Sequence, residues 1–77
     1  MPTDRELAIE GCESAFKDSV ARITAVFQAG LIDAKNNKER QTCRDRYKKG
    51  MQLSKDVLEE SRATVDEIFK GGNGTNA

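Results

Sequence analysis

Residues 33–37 read Asp-Ala-Lys-Asn-Asn (DAKNN), the least apolar segment between two amphipathic stretches, and the fold turns on them. Before them, Ile9, Cys12, Phe16, Val20, Ile23, Val26, Phe27 and Leu31 recur mostly in steps of three and four, the spacing of one stripe on a helix. After them, Cys43, Tyr47, Met51, Val57, Leu58, Val65, Ile68 and Phe69 form a second stripe, with Gly50, Ser54 and Ser61 on the same side. Asparagine tolerates left-handed conformations, so Asn36-Asn37 is the expected bend. Two helices near 4–34 and 38–70 then fold back on each other, each roughly 45 Å long at 1.5 Å per residue. The equal arms bring Ile23 and Phe27 to Tyr47 and Gly50, Phe16 to Val57, and Ile9 to Val65. A competing division breaks the chain at Gly30 and Gly50, because Lys48-Lys49-Gly50 resembles a helix end, and yields a three-helix bundle. The hairpin is preferred because residues 33–49 hold too few apolar side chains for the middle helix of a globular trio.

The outer ends carry their own signals. Thr3 followed by Glu6 is a capping-box pattern at the start of the first helix. Glu13 with Lys17, and Asp18 with Arg22, are i,i+4 pairs that support it from outside. The chain ends in GGNGTNA, residues 71–77, which has nothing to bury. Residues 1–70 are therefore expected to be a single helical domain and 71–77 a disordered Gly/Asn tail.

Seventy-seven residues allow one small core, which supplies only about 3–5 kcal/mol unless another device helps. Two cysteines and no secretory leader point away from disulfides and toward a reduced, cytoplasmic setting. With no histidine and two distant cysteines, no zinc spacing can be written, and no cofactor motif is present. No apolar run is long enough to span a membrane. Oligomerisation remains. Each stripe is wider than one partner helix can cover, so the hairpin is expected to form a homodimer and a four-helix bundle. The stripe assigned to core and dimer contact is Ile9, Cys12, Phe16, Val20, Ile23 and Phe27 on the first helix, with Tyr47, Met51, Val57, Val65 and Ile68 on the second.

Charge is balanced overall, with 13 cations and 13 acids, but segregated along the chain. Residues 35–49 hold seven cations against two acids; residues 4–18 and 55–67 each hold five acids against two cations. The bend is thus positive and the end carrying both termini negative. Lys38, Arg40, Arg44, Lys48 and Lys49 form the candidate interaction ridge, and the like charges at Arg40, Arg44 and Lys48 weaken an isolated helix. Two hairpins packed antiparallel would set each basic bend beside the partner's acidic end, with Cys12 of one chain level with Cys43 of the other. Nucleic acid binding through the ridge, with Tyr47 stacking on a base, is the second reading, and an acidic protein partner the third. Catalysis is not expected, since histidine is absent and both cysteines fall on apolar stripes. The function expected from these residues is a small, non-catalytic protein–protein interaction module.

Overall fold

The computed structural model describes the backbone of residues 1–74 and the side chains of residues 1–70. It contains two helices, α1 (Asp4–Asp33) and α2 (Asn37–Gly74), packed against each other, and no strand among the described residues. This is the expected hairpin. Gly30 and Gly50 lie inside the helices and neither has a positive φ, so the three-helix division does not form.

Local chemistry sets the boundaries. Thr3 caps α1: its hydroxyl accepts from the Glu6 N–H at 3.1 Å, and the Glu6 carboxylate accepts from the Thr3 N–H at 2.8 Å. The hydrogen bond from the Thr3 backbone, followed by one from the Thr3 side chain, holds the Glu6 carboxyl below its ordinary value. The turn works differently from the expectation. No non-glycine residue adopts a left-handed conformation among the described residues. Instead Ala34 is extended (φ −66°, ψ 131°) and ends α1, while Asn36 starts α2 by accepting from the Glu39 N–H at 2.9 Å. Glu39 in turn accepts from the Lys35 N–H at 2.8 Å. Asparagine is used here as a helix cap, through its side-chain oxygen. At the far end α2 continues four residues past the expected stop at Lys70, to Gly74; residues 75–77 of the expected tail lie outside the described residues.

The register is constant along the layer. Arg5 pairs with Asp66 and Glu13 with Arg62. The Thr24 and Tyr47 hydroxyls are hydrogen-bonded at 2.8 Å, and the Phe27 and Tyr47 rings stack with centroids 4.5 Å apart. Gly50 lies against Ile23 and Gly30 against Cys43. In each pair the two residue numbers add to between 71 and 75, so the hairpin folds about the Asn36-Asn37 junction. The pairing of Ile23 and Phe27 with Gly50 and Tyr47 is as expected, and Phe16 and Val57 line one groove. Tyr47 fills the seam: its ring is stacked on Phe27 and its hydroxyl bonded to Thr24.

The molecule is one layer thick. Its Cα atoms extend 60 × 24 × 8 Å, with a radius of gyration of 17.7 Å, against about 11.5 Å for a compact chain of this length. Val65 is the only buried hydrophobic residue among those described. The accessible surface is 6008 Å², against about 4,650 Å² for a compact monomer of this mass. The excess is on the order of 1,000 Å². Stable domains bury their apolar faces between at least two layers, and a single hairpin has only one.

Candidate functional site

The two broad faces of the layer differ. One carries a chain of shallow grooves along the seam. Cys12, Ala15, Phe16 and Ser19 of α1 line its centre with Leu53, Ser54 and Val57 of α2. Toward the bend it continues past Val26, Gly30, Cys43 and Arg46 to Thr42, and toward the termini past Glu60, Thr64 and Val65. Several of the most exposed large hydrophobic residues lie on this face: Val26 at 72%, Leu53 at 65% and Val57 at 54% relative exposure. Ile68, 61% exposed, lies eleven residues beyond Val57 and so about 20° around α2 from it, on the same side. Both cysteines are half-buried, unbridged and border these grooves. Leu53 stands at the centre of the face, although it is not on the apolar stripe read from the sequence.

The opposite face carries a groove lined by Phe16, Tyr47, Lys48, Met51, Gln52 and Lys55. The interhelical ion pairs Arg5–Asp66 and Glu13–Arg62 are about half exposed, and pairs of that kind contribute about 0.2–1 kcal/mol each.

The residues assigned to the stripe divide accordingly. Ile9, Cys12, Phe16, Val20, Ile23, Phe27, Tyr47 and Met51 are half-buried in or beside the seam, Val65 is buried, and Val57 and Ile68 stand exposed. The basic set does not form one face. At 100° per residue, Arg40, Arg44 and Lys48 lie about 140–180° around α2 from Leu53, whereas Lys38 and Lys49 lie within about 60° of it. All five are exposed, and none makes an ion pair among the described residues. Arg44 instead donates to Gln41 Oε1 from Nε at 3.2 Å and from Nη2 at 2.8 Å. Two cationic rows therefore exist: one on the outer face, one flanking the apolar face. The linear sequence merges them into a single basic stretch.

Among the described residues, no three Cys, Asp or Glu side chains cluster where they could hold a metal ion, and no helix is long and apolar enough to cross a membrane. No family model, curated protein or solved structure compared with the chain matches it. A reading of its function therefore rests on the two faces.

Proposed function

We propose that this protein is a small, non-catalytic interaction module that acts as a homodimer, two hairpins packed through their apolar faces into an antiparallel four-helix bundle. The observation that carries this reading is the missing layer: among the described residues one hydrophobic side chain is buried, while Val26, Leu53, Val57 and Ile68 stand more than half exposed. At about 25 cal/mol per Å² of apolar area, leaving such a face wet forfeits a large part of what so small a chain can gain by folding. Covering it with a second copy supplies both layers of a domain. An excess on the order of 1,000 Å² per chain gives an interface on the order of 2,000 Å² in total, at the upper end of the standard range for stable complexes.

In such a dimer Arg40, Arg44 and Lys48 remain outside, with Lys55 extending the row beside Lys48. That row is the surface by which the dimer would engage an acidic partner. An acidic protein is favoured over RNA or DNA because Tyr47, the one tyrosine of the chain, is held in the seam by Phe27 and Thr24. A base-stacking platform is then lacking.

Sedimentation equilibrium tests the reading: a dimer has twice the chain mass of 8.5 kDa at micromolar concentration. A well-folded, fully helical monomer at that concentration would overturn it. A gel shift with random RNA and DNA at low and physiological salt separates the two kinds of acidic partner, since phosphate binding is strongly salt-dependent.

A further inference from the structure

We infer that the dimer's two-fold axis passes beside Leu53, with α2 lying antiparallel along the partner's α2. This rests on the dimer reading above and adds the axis, the register and the paired residues. The argument starts from the exposed flank of α2 that borders the apolar face. Leu53 is at its middle, 65% exposed. Seven residues before it stands Arg46 and seven after it Glu60; four before it stands Lys49 and three after it Asp56. These offsets are the 3-4 spacing of one helix stripe, so all five side chains share a side of α2. Arg46 and Glu60 also line the grooves of the apolar face.

The pattern continues outward. Thr42 and Thr64 lie eleven residues on either side of Leu53, and both hydroxyls turn back to the carbonyl four residues earlier. Beyond them Lys38 lies fifteen residues before the centre and Glu67 fourteen after it. The row is nearly antisymmetric about Leu53. Cations occupy one half, acids the matching positions of the other, with leucine at the centre and threonine against threonine between the charges.

Within one chain this arrangement is unfavourable, because Asp56 and Glu60 are like charges at i,i+4, and Asp56, Glu60, Arg46 and Lys49 make no ion pair among the described residues. A two-fold axis perpendicular to α2 at Leu53 changes that. It sets Arg46 against the partner's Glu60, Lys49 beside the partner's Asp56 and Lys38 beside the partner's Glu67, each contact occurring twice because the interface is isologous. A parallel dimer would face each cation with its own copy. Complementarity of this kind chiefly selects orientation and register, and the apolar contact supplies the affinity. The hairpin register puts the level of Leu53 near residue 20 of α1. Ala15 and Ser19 line the groove there, and Gly11 has open space around it, so α1 presents small residues beside the axis.

The test is sedimentation of charge-reversal variants. R46E and E60R each place like charges together twice and should raise the dimer dissociation constant about tenfold, as the loss of two exposed pairs and their replacement by repulsion implies. The swapped double variant R46E/E60R should return to within about twofold of wild type, and an equimolar mixture of R46E with E60R should form heterodimers as tight as the wild-type homodimer. Heterodimers of wild type with R46E that are tighter than either homodimer indicate a parallel arrangement, in which Arg46 meets the glutamate of R46E, and overturn the axis. A wild-type dimer whose R46E and E60R forms associate unchanged also overturns the axis, leaving the dimer reading intact. A monomeric wild type overturns both. A second measurement does not depend on the charges. In a Cys12→Ser/Cys43→Ser background, Leu53→Cys should be cross-linked between chains by a short bismaleimide. Arg46→Cys, about 21 Å from its own copy along the length of α2, should not; the reverse outcome overturns the proposal.

Discussion

Replacing Gly30 by alanine tests the closeness of the two helices most directly. A β-carbon built at Gly30 meets the Cys43 Sγ at 2.9 Å, with the Cys43 Cβ at 3.8 Å. At Gly50 the same operation meets only Ile23, at 3.5 Å and beyond, which is ordinary van der Waals contact. Both glycines are interior to helices, so each replacement gains about 0.5–1 kcal/mol from backbone entropy. Gly50→Ala should keep that gain. Gly30→Ala must displace the thiol or spread the helices, and overpacking of this sort costs about 1–3 kcal/mol. The net expectation is a loss of up to about 2 kcal/mol at Gly30 against a gain of up to about 1 at Gly50. For a chain of this size, 1 kcal/mol moves the melting midpoint by about 4–8 °C. Urea and thermal unfolding followed by circular dichroism, at one fixed protein concentration, read both variants. Removing the obstacle should rescue the loss: G30A/C43A should be more stable than the sum of its single variants predicts. A Gly30→Ala protein as stable as Gly50→Ala would refute the close approach at the bend end of the seam.

Four further outcomes are expected. Thr3→Ala should cost about 1 kcal/mol by removing the N-cap. Because Glu6 is held below its ordinary value of 4.5, its contribution is present at higher pH and disappears as pH falls through 4.5 to its lower folded value; Glu6→Gln should flatten that part of an acid titration followed by circular dichroism. Tyr47→Phe keeps the stack on Phe27 but strands the Thr24 hydroxyl in a half-buried site, so urea unfolding should show a loss of about 1 kcal/mol. The double reversal R44E/K48E, on the outer face, should leave the sedimentation of the dimer unchanged while abolishing salt-sensitive capture of a polyanionic peptide; a dissociated dimer would mean that this row belongs to the interface.

The placement of Arg44 and Arg46 shows why charge along a chain is a poor guide to charge on a surface. Two residues apart in sequence, they lie about 160° apart around α2. Arg46 borders the apolar grooves, whereas Arg44 makes its hydrogen bonds to Gln41 on the far side. Counting charge by segment merged these rows, and it also left Leu53 among polar neighbours with no stripe of its own. A signal was present: stepping from Leu53 by threes and fours reaches Lys49, Arg46 and Thr42 one way and Asp56, Glu60 and Thr64 the other.

What the amino-acid order settled unaided is local. Steps of three and four make two stripes, Thr3 with Glu6 starts one helix, and the interval at 33–37 leaves the chain nowhere to bury itself except by turning back, because helix periodicity and capping depend only on neighbours a few residues away. Tertiary structure decided which sides of those helices meet. The register of the arms consumes Phe27, Tyr47 and Thr24 in the seam and leaves Val26, Leu53 and Val57 wet. It also turns Arg40, Arg44 and Lys48 away from that face. A stripe wider than one neighbour is divided by contact geometry, and where the division falls depends on how closely Gly30 lets the backbones approach.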